Sequence, residues 1–154
     1  MKKRIKHILF VCTGNSCRSI MAEAYLDKRL KEEGLEIEVA SAGTVGVDKL
    51  FPTQETLKVL EEEGIDTKGY RSKTLSEDFI RWADIILVME PSHKARIRML
   101  VPEAEDKIYY LGEFNKEHDS VIIPDPIGKP LASYRKAFNL IKQPIEELVE
   151  WLKA

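Results

Sequence analysis

Apolar residues fall along this chain in short unbroken runs, separated by longer stretches of helical period. From Lys6 to Cys12, the residues Ile8, Leu9, Phe10 and Val11 form one run, the pattern of a strand covered on both faces. Thr13-Gly14-Asn15-Ser16 is turn-rich. Ser19 to Glu33 predicts a helix with Ala22, Tyr25, Leu26 and Leu30 on one side and Gly34 as its stop. Ile37-Glu38-Val39 begins a second strand ending in Ser41-Ala42-Gly43, and Thr44 to Pro52 is a loop. Thr53 is the expected N-cap of a helix reaching Glu63, with Leu57, Val59 and Leu60 as its apolar side. Thr56 stands where a full capping box needs an acid or amide. A short helix spans Ser76 to Trp82. Asp84-Ile-Ile-Leu-Val-Met89 is the clearest strand, followed by a helix from Ser92 to Val101 and a short strand from Lys107 to Leu111. Gly112 to Ile123 is a charged, irregular loop. Pro130 to Lys153 closes the chain as a long helix, with Pro144 the expected place of a break.

Strands alternate with helices four times, which calls for crossover connections and a parallel sheet with helices on both faces. The expected fold is one doubly wound α/β domain over residues 1–154. No repeat or linker interrupts it. Ligands of such sheets sit beyond the carboxyl ends of the strands, where Cys12, Ser41-Ala42-Gly43 and Met89 are expected.

Composition narrows the function. The chain has 154 residues, 44% hydrophobic and 32% charged, which excludes a disordered chain. Its 24 basic and 26 acidic residues balance closely, so nucleic acid is not an expected partner. No apolar run reaches the roughly 18 residues of a membrane span. The basic start is followed by too short an apolar stretch for a signal peptide. Two cysteines, Cys12 and Cys17, are too few for a disulfide scaffold or a four-ligand zinc site, and a reducing cytoplasm is expected. His7, His93 and His118 share no metal-ligand spacing and are read as solvated, so no metal or cofactor is expected. Lys2, Lys3, Arg4 and Lys6 are read as a solvated face.

The segment Cys12-Thr13-Gly14-Asn15-Ser16-Cys17-Arg18-Ser19 joins a buried strand to a helix start. A helix N-terminus offers unpaired N–H groups and partial positive charge, and a loop curling into it forms an anion nest. Gly14 is expected to permit the tight backbone. Arg18 can set a planar fork on a phosphate-like oxyanion. Cys12 would lie on the floor of this bowl, where a thiolate is favoured and can act as nucleophile. Ser19 is a candidate hydroxyl donor to the sulfur. Asp125, between Pro124 and Pro126, sits on a stiffened loop and is the candidate general acid, then base for the attacking water.

This strand, loop and helix resemble those of the low-molecular-weight protein tyrosine phosphatases. The resemblance extends through Met21-Ala22-Glu23, Ser41-Ala42-Gly43, Asp84 to Met89 and Asp125-Pro126, nearly the whole chain. It implies a four-stranded parallel sheet, phosphorylated protein as substrate and hydrolysis through a phosphocysteine. It also implies that Asn15 and Ser41 brace the loop and that Cys17 can close a reversible disulfide with Cys12. A monomer or weak dimer is expected.

Several positions depart from the tyrosine-specific pattern. Ser16 replaces the usual Ile, and the arginine phosphatase branch carries a hydroxyl residue, Thr, there. Ile20 replaces a Pro. Ile127-Gly128 follows Asp125-Pro126, where tyrosine-specific relatives often carry aromatic residues and the arginine branch resembles D-P-F-G. Ile127 fits neither and Gly128 favours the second, which leaves Val47, Phe51 and Ile127 with Ser16 as candidate specificity residues. Tyr70 stands about where many relatives carry a loop-supporting His, leaving that contact open. Phosphotyrosine is the first expected substrate and phosphoarginine the rival. Arsenate reductases share the loop from Cys12 to Ser19, but their relay needs further cysteines and none follows Cys17. A phosphate-binding module without turnover is the non-enzymatic alternative.

Overall fold

The computed structural model describes residues 4–115 and 121–154. The readings of Lys2, Lys3 and His118 as solvated lie outside them. The elements follow in the order β1 (His7–Cys12), α1 (Arg18–Glu32), β2 (Glu38–Gly43), α2 (Gln54–Glu62), α3 (Glu77–Trp82), β3 (Ile85–Val88), α4 (Pro91–Leu100), β4 (Ile108–Tyr110) and α5 (Leu131–Lys153). Short 3-10 turns at Pro102–Lys107 and Leu111–Phe114 flank β4. Two caps read from sequence are in place: Thr56 N donates to Thr53 Oγ1 at 3.3 Å and Phe79 N to Ser76 Oγ at 3.2 Å.

The four strands are parallel in the order β2-β1-β3-β4. The unbroken apolar runs reflect burial on both faces. Ile8, Phe10 and Cys12 of β1, with Ile85 and Leu87 of β3, face a core built with α1, α2 and α5. Leu9 and Val11, with Ile86 and Val88, face a second core that takes in Ile80 of α3 and Ile97 of α4. The chain runs from β1 outward to β2, then crosses to β3 on the other side of β1. The sheet therefore changes direction between β1 and β3, and the crevice beyond their carboxyl ends is a natural ligand site.

The expected break at Pro144 is absent: α5 is continuous from Leu131 to Lys153. A proline deprives the Leu140 carbonyl of its helical donor, but packing outweighs that cost. Ile141, Pro144, Ile145, Leu148 and Val149 are all buried. Beyond the proline, Arg29 of α1 grips Glu146 through three guanidinium contacts of 2.8–3.1 Å, and Tyr25 also hydrogen-bonds Glu146.

Candidate active site

Cys12 ends β1 and α1 begins at Arg18, so the turn between them lies at the strand-order reversal. The N-cap of α1 is Cys17, which supplies no capping hydrogen bond from its side chain. The first amide groups of the helix thus lack the side-chain acceptor that Ser, Thr or Asp ordinarily provides.

The sharpest turn is made by Asn15, the one loop residue with positive φ (53°). Asn tolerates this region because its short polar side chain bonds locally. Asn15 is buried, and its amide is oriented by Lys73 N, which donates to Oδ1 at 2.8 Å. Nδ2 then donates to Ser19 Oγ at 2.7 Å and Ser41 Oγ at 2.9 Å. Ser41 Oγ in turn donates a hydrogen bond to Glu23 Oε1 at 2.5 Å. Burial raises the Glu23 carboxyl above its usual range, against the Ser41 bond and the charge of Lys73. Ser19 Oγ, accepting from Asn15, lies 2.9 Å from Cys12 Sγ, within reach to donate to a thiolate there. The expected bracing contacts of Asn15, Ser41 and Ser19 are thus present as one chain ending at the sulfur.

Gly14 does not play the part expected of it. It lacks positive φ, and a Cβ there would meet only Ser16 Oγ at 3.6 Å. The close approach occurs at Gly43, whose Cβ would lie 2.7 Å from the Thr13 carbonyl oxygen and 2.9 Å from Gly14 C. Missing that Cβ, the end of β2 lies against the loop. Thr44 N donates to Cys12 O at 2.9 Å and Val45 N to Thr13 O at 3.0 Å.

Arg18 is almost fully buried, and its guanidinium is ringed by polar partners. Nη1 donates to the Ile123 carbonyl at 2.9 Å and to Glu90 Oε2 at 3.1 Å, while Nη2 approaches Thr13 Oγ1 at 3.4 Å and Asp125 Oδ2 at 3.6 Å. Burial alone would raise the Glu90 carboxyl, but the Arg18 guanidinium, with smaller help from His93 and the Ser92 hydroxyl, holds Glu90 below its usual range. Asp125 is partly exposed and its Oδ1 accepts from Ile127 N at 3.1 Å, a turn that aims the other oxygen at Arg18.

Cys17 is buried, with its sulfur 3.5 Å from Ser16 Oγ and 3.9 Å from Tyr134 Oη. Burial raises its thiol, so it stays protonated near neutrality. Both cysteines are free thiols. At the rim Val47, Phe51 and Ile127 are exposed, and the Arg71 guanidinium lies 3.8 Å over the Phe51 ring. Ser16 is half-buried, and its carbonyl receives Thr53 N and Thr56 Oγ1 from the start of α2.

Two sequence readings need correction, and a third position left open is resolved. His93 is not solvated but wholly buried, wedged between the loop and Glu90. His7 is half-buried, its ring 4.7 Å from Trp82 and its nitrogens within 3.4 Å of Asp84 and Glu38. Tyr70 packs on the core, where burial and then the nearby Glu23 carboxylate push its hydroxyl well above its usual range. The contact left open at Tyr70 does not come from its side chain; the Lys73 backbone N–H braces Asn15 instead. Glu90 and His93 escaped sequence reading, although Glu90 directly follows Met89 at the carboxyl end of the clearest strand. That position was the available signal. Among the described residues no cluster of side chains could hold a metal ion, and no helix is long and apolar enough to cross a membrane.

Residues 7–154 match the family model described as low molecular weight phosphotyrosine protein phosphatase. The chain is 38% identical, over 95% of each sequence, to a protein-arginine-phosphatase of Geobacillus stearothermophilus. It is 33% identical to a putative low molecular weight protein-tyrosine-phosphatase of Klebsiella pneumoniae, over 96% of this chain and 97% of the relative. The crystal structure of a low molecular weight protein tyrosine phosphatase from T. tengcongensis superposes with a TM-score of 0.88 at 37% identity, covering 96% of this chain and 99% of that one.

Proposed function

This chain belongs to the low molecular weight phosphotyrosine protein phosphatase family, a family of hydrolases, and from that premise we propose that it removes phosphoryl groups from protein side chains through Cys12. The observation that carries the reading is the hydrogen-bond chain from Glu23 to the sulfur. It holds the Ser19 hydroxyl 2.9 Å from Cys12 Sγ, where it can donate to a thiolate. Arg18 and the first amide groups of α1 hold the non-bridging oxygens. Cys12 attacks phosphorus, and the bond to the leaving group breaks as Asp125 hands that group a proton. Asp125 then takes a proton from water, which attacks the phosphocysteine and releases phosphate and the thiolate.

The leaving group we assign is arginine. The Ser16 hydroxyl supplies a polar acceptor where a branched alkyl group would suit a phenol ring. Gly128, following Asp125-Pro126-Ile127, fits the arginine branch, while Ile127 fits neither branch fully. The similarity to an arginine phosphatase points the same way. Phosphotyrosine is the second reading, favoured by the exposed Phe51 ring under Arg71. Matched phosphoarginine and phosphotyrosine peptides separate the two. We expect kcat/KM at least about tenfold higher for phosphoarginine, and Ser16→Ile to narrow the ratio. A preference for phosphotyrosine would reverse the assignment. A wild-type protein without turnover on either peptide, yet binding phosphate, would leave only a binding module.

A further inference from the structure

His93 is the one wholly buried histidine of the described chain, and the reaction just proposed makes no use of it. Its two nitrogens have unequal partners. Met89 N, which can only donate, lies 3.4 Å from Nδ1, so Nδ1 carries the lone pair. In a neutral ring Nε2 then carries the proton and donates to Thr13 Oγ1 at 3.0 Å. Arg18 Nη2 reaches the same oxygen at 3.4 Å. Thr13 Oγ1 thus receives two donors, and its own proton is left over. Thr13 is half-exposed, beside Cys12, and shares Arg18 Nη2 with the Asp125 carboxylate.

We propose that His93 is a positioning residue that presets the Thr13 hydroxyl as a hydrogen-bond donor to the docked phosphoryl group. The proposal rests on the phosphatase reading for its kinetic consequence, but not for its geometry. The charged groups around the ring are Arg18 from α1, Glu90 at the start of α4 and Asp125 from the loop before α5. Burial, then the charge of Arg18, lowers His93 to about 4, against the opposing pull of Glu90 and Asp125. The ring therefore stays neutral over the working range. Protonation would set a second donor against Met89 N and a second cation against Arg18.

Two substitutions split the role of the ring. His93→Asn keeps an acceptor near the Nδ1 position for Met89 N and gives up the donor to Thr13. His93→Gln places an amide N–H near the Nε2 position. With the two phosphopeptides above, His93→Asn should lose about tenfold in kcat/KM, while His93→Gln retains most of it. Thr13→Val should lose about as much as His93→Asn, and the double variant no more than either alone, because both remove the same donor. Equal losses for Asn and Gln, or multiplicative losses in the double variant, would overturn the proposal. Nitrogen-15 spectra of the imidazole provide a readout independent of turnover. At pH 7 they should show Nε2 protonated and Nδ1 bare. An Nδ1–H tautomer or an imidazolium would overturn it. Should the wild type hydrolyse neither peptide, the phosphatase reading fails alone. The role of His93 is then decided by that spectrum and by inorganic phosphate, which His93→Asn should bind several-fold more weakly; unchanged affinity would dismiss the role.

Discussion

Single residues around the loop are fixed by very local requirements. The missing Cβ at Gly43 lets the end of β2 approach to where Thr44 and Val45 hold the loop carbonyls. Gly43→Ala places a methyl 2.7 Å from the Thr13 oxygen, and backbone on both sides must give. We expect a loss of about 1–3 kcal/mol in urea unfolding, with a larger loss of activity than Gly14→Ala, for which space exists. Stability equal to wild type would mean that the two segments separate freely. His93 makes a second residue-scale prediction. Its value near 4 in the fold lies below the ordinary 6.5, so the unfolded chain binds the proton more readily as pH falls. Its contribution is intact above about pH 6.5 and is lost down to about pH 4, by roughly 3 kcal/mol in all. The difference in unfolding free energy between wild type and His93→Asn should therefore shrink across that window. A difference independent of pH would contradict the buried neutral ring.

At the scale of elements, the strands were legible because burial on both faces writes an unbroken apolar run, as in Ile8 to Val11 and Ile85 to Val88. The loop from Cys12 to Ser19 was legible for a similar reason: its chemistry is contiguous, ending a strand and starting a helix. Glu90, His93 and the Lys73 amide were not, because each reaches the loop from a segment that only the fold brings near. Pro144 misled in the other direction. Helix propensity is a local quantity, whereas α5 is held by its buried face and by Glu146 bridging to Arg29 and Tyr25. Glu146→Gln should weaken that grip by about 1 kcal/mol in a thermal or urea transition. It should leave kcat/KM unchanged, since Glu146 contacts α1 residues away from the loop. A matching loss of activity would mean that the α1–α5 joint transmits to the site.

Across the whole molecule, the order β2-β1-β3-β4 does what no local segment can. It sets the ends of β1, β2 and β3 side by side, so a cysteine, a serine and a glutamate far apart in sequence converge on one crevice. The loop carrying Asp125 then closes over it: Ile123 N donates to the Met89 carbonyl at 3.0 Å, and the Ile123 carbonyl receives Arg18. Cys12, Arg18 and Asp125 thus belong to one bonded frame. That arrangement supports a two-step transfer in which the sulfur carries the phosphoryl group. The most direct test is rapid quenching of Asp125→Asn with radiolabelled p-nitrophenyl phosphate. Its good leaving group needs no acid, while breakdown of the intermediate lacks its base. A sulfur nucleophile predicts stoichiometric label on Cys12 and none in the Cys12→Ala protein. Label on another residue, or turnover that survives Cys12→Ala, would contradict it.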